Sequence, residues 1–103
     1  MLARTFIERF ERYCPQWLAE DGDPVGLHIG TLDNEIQRVM MTLDVRPEVV
    51  AEAIEKQVDF IVAKHPPIFR SIRRLRADDP QQKMYMDLIK HNISVSVSYT
   101  HLT

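Results

Sequence analysis

A histidine that directly follows a short apolar run is the residue of this chain best placed to do chemistry. Residues 60–63 (FIVA) are predicted to form a buried strand of an α/β sheet. The segment is short and apolar, with a charged residue before it and prolines after it. Such a strand delivers Lys64 and His65 to its carboxyl end. The two prolines that follow, Pro66 and Pro67, exclude both helix and further sheet. Since ligands of open α/β sheets bind beyond the carboxyl strand ends, His65 is a candidate metal ligand or acid–base group. A loop histidine without a chemical role is the simpler alternative.

A carboxylate ends the preceding predicted strand, residues 38–43, and this is Asp44. Two roles are open for it from the sequence. Its side chain either reaches the same crevice as His65 or caps the turn that follows it.

Four arginines stand close together after the histidine, and they are Arg70, Arg73, Arg74 and Arg76. Guanidinium groups bind phosphate in a bidentate manner. The segment is therefore either a contact for a phosphorylated small molecule or a solvated loop next to Asp78 and Asp79.

Hydrophobic periodicity predicts the elements that position these groups. In order, they are helix 2–14, strand 25–29, strand 38–43, helix 47–57, strand 60–63, helix 80–91 and strand 93–97. Strand, helix and strand over residues 38–63 form a β-α-β unit, which implies parallel neighbouring strands. In helix 80–91 the predicted apolar stripe is Met84, Leu88 and Ile89, and Asn92 is predicted to end that helix in a left-handed conformation. In the last strand, Ile93, Val95 and Val97 alternate with serines.

Length and composition restrict the function classes. The chain has 103 residues, enough for one small domain, and is 45% hydrophobic and 27% charged, which is ordinary for a soluble globular protein. A net charge of −2 argues against a nucleic-acid surface. The single cysteine, Cys14, excludes an internal disulfide and fits a cytoplasmic location. We expect neither a membrane span nor a signal peptide, because no long apolar run is present.

Three ordered segments resemble a known family: DPVGLHIG at 23–30, TLDVRPEVVAEAI at 42–54 and AKHPPIF at 63–69. Together they are similar to the amino-terminal part of the NIF-three-like family, whose members are often labelled type-2 GTP cyclohydrolase I homologues. The resemblance covers about residues 2–97. It implies an α/β fold of β-α-β units, with a mostly parallel or mixed sheet flanked by helices. Residues 1–103 would then be the amino-terminal part of one such domain, cut short.

The resemblance also implies a metal site and an assembly. Family members carry two divalent metal ions per subunit, zinc, iron or manganese, and form ring-like homohexamers. Adjacent histidines at the strand end usually bind one metal each. His65 matches the second of this pair, whereas Lys64 occupies the position of the first. A protonated ammonium has no lone pair to offer a cation.

The family's next ligand is an aspartate in a His-Thr-Asn-X-Asp run, and in register Thr103 stands at its position. The similarity ends abruptly after Val97 or Ser98, and we interpret residues 99–103 as a candidate non-native tail. The remaining family ligands, a His and a Glu, have no counterpart in this chain. We therefore expect that the chain does not hold two metals by itself.

Three functional readings follow. The first is the amino-terminal fragment of a metal-binding protein with hydrolase chemistry. The second is a non-catalytic, oligomeric metal-binding scaffold, and the third is an inactive truncated fragment. For the last we expect aggregation, because an open parallel sheet that stops after its fourth strand leaves an unprotected edge.

Overall fold

The computed structural model describes residues 1–12, 26–68 and 71–98 of the chain. These ranges contain three helices and four strands, in the order α1 (Ala3–Glu11), β1 (Gly26–Ile29), β2 (Val39–Thr42), α2 (Pro47–Glu55), β3 (Phe60–Ala63), α3 (Pro80–Lys90) and β4 (Ser94–Val97). Each corresponds to a predicted element, with slightly shorter bounds. The predicted last turn of the first helix lies outside the described residues. None of the helices in the described ranges is long and apolar enough to cross a membrane.

The four strands form one mixed sheet in the order β1-β4-β3-β2. Strand β2 is parallel to β3, and β3 is parallel to β4, whereas β1 runs antiparallel to β4. A helix connects each parallel pair, α2 between β2 and β3 and α3 between β3 and β4, as parallel strands require. The predicted α/β class, with β-α-β units and a mixed sheet, is confirmed.

Local sequence signals explain where the two crossover helices begin and end. Each has a proline in its first turn, Pro47 in α2 and Pro80 in α3, where the missing N–H costs nothing. The carboxylate of Asp79 caps α3 by accepting a hydrogen bond from the Gln82 N–H at 3.0 Å. Asn92 follows α3 with a φ of 55°, which confirms the predicted left-handed end.

Apolar clusters cover both faces of the sheet. On one face, α2 and α3 pack against the inner strands, and the buried side chains there include Val50, Ala53, Ile61, Leu88 and Val95. On the other face, α1 packs through Ala3 and Ile7 on Phe60 and Val62. The inner strands β3 and β4 are therefore buried on both sides, which accounts for the continuous apolar run that marked β3 in the sequence.

The predicted apolar stripe of α3 was correct for Met84 and Leu88 but wrong for Ile89. Ile89 is 57% exposed, and Tyr85 takes the third buried position with 7% exposure. Successive residues of a helix are rotated by about 100° around its axis. Ile89 therefore lies beyond Tyr85, on the side of the helix that faces solvent.

Burial of the two serines in β4 is the second departure from the sequence pattern. Although they alternate with valines, Ser94 and Ser96 are 3% and 4% exposed, because β4 lies between β1 and β3. The Ser94 hydroxyl donates to the Thr31 carbonyl and accepts from the Thr31 N–H, each at 3.1 Å. A Cβ at Gly30 would collide with the Ser94 side chain, and Gly30 has a φ of 91°, so glycine is required there.

The described sheet has outer strands, as expected of an open sheet, and the fourth strand is not one of them. Strand β4 has a neighbour on each side, and the outer strands of the described sheet are β1 and β2.

Substitutions at adjacent positions of α3 test this packing. Leu88→Ala removes a fully buried side chain and should lower the free energy of unfolding by about 2–5 kcal/mol. The control Ile89→Ala removes an exposed side chain and should change it by less than about 0.5 kcal/mol. Denaturant unfolding measures both values, and equal losses would contradict the orientation of α3.

Candidate metal centre

The backbone at the carboxyl end of β3 is fixed by hydrogen bonds that continue past the strand. The Lys64 N–H donates to the Thr42 carbonyl at 3.1 Å, and the His65 N–H donates to the Leu43 carbonyl at 2.8 Å. On the other side of β3, the Ser98 N–H donates to the Ala63 carbonyl at 2.9 Å. The ends of three parallel strands therefore meet at one edge, with His65 at its centre.

The His65 side chain is held by Asp44. Its Nδ1 lies 2.7 Å from Oδ1 of Asp44, and the two side chains are 57% and 40% exposed. Of the two roles that the sequence left open, the structure shows the approach to His65. The other role, capping of the following turn, is not seen in the described residues: the Asp44 carboxylate contacts His65 and, at 3.5 Å, the Arg46 guanidinium, and no backbone N–H of that turn donates to it. The Thr42 hydroxyl donates to the Asp44 carbonyl at 2.9 Å and fixes the backbone before the carboxylate.

This pairing determines which ring nitrogen remains for a ligand. A carboxylate only accepts hydrogen bonds, so the neutral imidazole donates from Nδ1–H and keeps its lone pair on Nε2. Metal-binding histidines commonly have this arrangement, because a carboxylate behind the ring fixes its orientation and raises its basicity. His65 and Asp44 together have the chemistry of one metal ligand and its support.

Helix α3 braces the double-proline turn that follows His65. The buried Tyr85 hydroxyl donates to the Pro67 carbonyl at 2.6 Å. The Gln81 side-chain amide donates to the same carbonyl at 3.3 Å and to the Tyr85 hydroxyl at 3.0 Å. The sequence analysis missed this support, and the only local signal was the four-residue spacing of Gln81 and Tyr85, which places both on one side of the helix.

The described residues do not supply a whole metal centre. Lys64, the residue before His65, is half-buried and offers an ammonium instead of a lone pair. No group of three or more His, Cys, Asp or Glu side chains suited to a metal ion occurs in ranges 1–12, 26–68 and 71–98. These residues fit one ligand and its supporting carboxylate, and they do not fit a complete coordination shell. Thr103, the rest of the segment 99–103, and Arg70 lie outside the described residues.

The described arginines that follow the histidine have two different environments. The Arg76 guanidinium binds the Asp78 carboxylate in a bidentate manner, with Nε–Oδ1 at 2.9 Å and Nη2–Oδ2 at 2.7 Å. Arg73 and Arg74 instead line an open cavity of about 510 Å³. Pro67 and Tyr85 also line it, so the cavity adjoins the turn that follows His65.

Comparison with known proteins decides the family. The Duf34/NIF3 (NGG1p interacting factor 3) family model matches residues 1–102. The chain belongs to the Duf34/NIF3 family. A Streptococcus pneumoniae relative, called a GTP cyclohydrolase 1 type 2 homolog, is 57% identical over 102 residues, which are 99% of this chain and 38% of that protein. A Bacillus subtilis relative of the same name is 47% identical over 99 residues, 96% of this chain and 26% of that protein.

Solved structures of Duf34/NIF3 relatives have the same fold. The crystal structure of a Bacillus cereus protein related to NIF3 superimposes with a TM-score of 0.92 at 34% identity, covering 96% of this chain and 27% of that one. The chain thus spans between a quarter and two fifths of the length of these relatives.

Proposed function

We propose that this chain forms the amino-terminal part of a metal-dependent hydrolase of the Duf34/NIF3 family, with His65 as a ligand of a divalent ion. The observation that supports it best is the 2.7 Å contact between His65 Nδ1 and Asp44 Oδ1, which leaves Nε2 for the ion. Zinc, iron and manganese all accept imidazole and carboxylate ligands. A divalent ion bound there would lower the pKa of a coordinated water and supply the nucleophile for hydrolysis.

The residues of this chain contribute positioning to that chemistry. Hydrogen bonds from the backbone of Lys64 and His65, just past β3, fix the position of the His65 backbone. Asp44 fixes the orientation of the His65 ring. The remaining ligands would come from outside the described residues. The proposal also includes self-association, as the ring-like hexamer that the family resemblance implies, and a cytoplasmic location, which the single cysteine supports.

The second candidate function is a non-catalytic metal-binding scaffold, and Lys64 is the observation that favours it. A half-buried cation in the position next to His65 in the chain would oppose a second metal ion there through charge repulsion. The two proposals predict different activities for a variant with histidine at position 64.

Substitution at positions 64 and 65 tests the proposal and separates the two candidates. The natural chain should bind fewer than two zinc ions, and His65→Ala should abolish the binding that remains. Lys64→His adds a ligand and removes a charge, so it should tighten zinc binding about tenfold or more, which is at least about 1.4 kcal/mol. Titration calorimetry and elemental analysis measure affinity and stoichiometry.

Two matched variants control these changes. Lys64→Ala removes the charge without adding a ligand, and His91→Ala removes an exposed histidine at the end of α3. Unchanged zinc binding in His65→Ala would refute the metal site. If Lys64→His binds zinc and hydrolyses a generic phosphodiester, the hydrolase proposal is supported. Tight zinc binding without hydrolysis would support the scaffold instead.

A phosphorylated small molecule is the substrate class we propose for the hydrolase. Arg73 and Arg74 line the cavity next to the His65 turn, together with the hydrogen-bonding side chains of Ser71, Gln81 and Gln82. Guanidinium groups match phosphate oxygens in geometry and charge. Arg76 does not take part, because Asp78 already satisfies it.

Removing the two cavity arginines tests this substrate class. The double variant Arg73→Ala/Arg74→Ala should weaken binding of a phosphate monoester about tenfold or more, since each charge-assisted contact contributes about 1.5–3 kcal/mol. Zinc content should not change. Arg76→Ala is the control and should leave phosphate binding as it was. Equal affinity in the natural chain and the double variant, measured by calorimetry, would refute the phosphate site.

A further inference from the structure

The cavity beside the His65 turn contains charges of both signs. Arg73 and Arg74 line it from the loop, and Asp79 lines it from the N-cap of α3. In the ranges that the structure describes, no ion pair joins Asp79 to either arginine, and neither guanidinium group contacts an acceptor. These three charged groups are therefore left for a ligand to match.

Asp79 has one carboxylate oxygen to spare. Its Oδ1 accepts from the Gln82 N–H and caps α3, whereas no donor among the described residues reaches Oδ2. Capping does not depend on the charge, because asparagine and serine cap helices about as well as aspartate does. The side chain is half-buried, and a charge that is partly removed from water is costly unless it is paired. The cap accounts for one oxygen of Asp79 and leaves the other to a ligand.

Gln81 supplies a second free acceptor, because its amide can lie in only one orientation. The Tyr85 hydroxyl gives its single proton to the Pro67 carbonyl at 2.6 Å, so it can only accept from Gln81. Both contacts of the amide are therefore made by its nitrogen, which lies 3.0 Å from the hydroxyl and 3.3 Å from the carbonyl. The amide oxygen Oε1 needs a donor, and no described residue supplies one.

These two acceptors determine what a ligand must carry besides its phosphate. The guanidinium groups of Arg73 and Arg74 match the phosphate oxygens. A ligand with negative charge alone would bring that charge into one cavity with Asp79, and like charges repel. A protonated primary amine removes this conflict, because its charge opposes that of the carboxylate and its three N–H donors suit the oxygens of Asp79 and Gln81. A hydroxyl group has one donor and no charge, so it satisfies these groups only in part.

We propose that the ligand of this cavity is a phosphate ester that also carries a primary amine, and that Asp79 is the residue that selects the amine. This specificity rests on the phosphate site of the proposed function and adds the second group that the substrate must have. The cavity of about 510 Å³ has the volume of a small-molecule site. Two guanidinium groups and one carboxylate are the charge complement of a phosphate and one ammonium group.

Ligand pairs of equal length test the amine. Titration calorimetry of the natural chain near neutral pH compares the series from aminoethyl to aminopentyl phosphate with the alkyl phosphates of the same lengths. At least one aminoalkyl phosphate should bind about tenfold or more tightly than its alkyl counterpart, because it adds charge-assisted hydrogen bonds. The hydroxyalkyl phosphate of that length should have an intermediate affinity.

Substitution of Asp79 tests the residue that selects the amine. Asp79→Asn and Asp79→Ser remove the charge and keep a side chain that caps helices, so the denaturation midpoint should hardly change and the preference for the amine should disappear. Asp78→Asn is the matched control. It removes the same charge one position earlier, from a carboxylate that binds Arg76, and the preference should persist.

Three results would overturn the proposal: equal affinity of amino and alkyl phosphates at every length, equal affinity of hydroxyl and amino phosphates, or a preference that survives in both Asp79 variants. In these cases the phosphate site still stands if the alkyl phosphates bind and lose affinity in Arg73→Ala/Arg74→Ala. Alkyl phosphate binding that ignores the two arginines would instead refute the phosphate site, and the amine specificity would fall with it.

Discussion

Parallel pairing of β2 with β3 is the constraint on which the candidate centre depends. The register places Thr42 beside Ala63, so the segments that follow β2 and β3 leave the sheet side by side. The hydrogen bonds from the backbone of Lys64 and His65 extend this alignment by two residues. Asp44 and His65 are 21 positions apart in sequence, yet their side chains meet at 2.7 Å because their strands end together. A shift of the register by one residue would turn each side chain to the opposite face and separate them.

The rest of the fold holds that register in place. Burial of β3 and β4 on both faces makes slippage costly, since Phe60, Ile61 and Val95 would lose their apolar surroundings. Helix α3 contributes twice, by burying Leu88 against the sheet and by anchoring the Pro67 carbonyl through Tyr85. The site itself is exposed, but β3, the strand that leads to His65, is buried along its whole length. Such a rigid frame below an open surface suits a binding site, because a preorganised ligand loses little freedom when the ion arrives.

The helices and strands were predictable from the sequence because the signals that mark them are local. Apolar periodicity, the prolines at the helix starts and Asn92 at a helix end each depend on a few neighbouring residues. The strand order was not predictable in the same way, since β4 enters between β1 and β3 and this depends on contacts across the whole chain. The burial of the two serines in β4 has this same cause. His65 was found from its place at a strand end, but its contact with Asp44 stayed one of two alternatives, because a register between distant segments leaves no local pattern.

The candidate centre depends on Asp44 holding the His65 ring with its Nε2 lone pair available to a metal ion. The most direct measurement is the tautomer of His65 in the metal-free chain, read from a proton–nitrogen correlation spectrum at a pH where the ring is neutral. We predict that the proton is on Nδ1 and that Nε2 is bare, and that Asp44→Ala removes this preference. A proton on Nε2 in the natural chain would contradict the account, because the ring would then present a donor where the metal needs a lone pair.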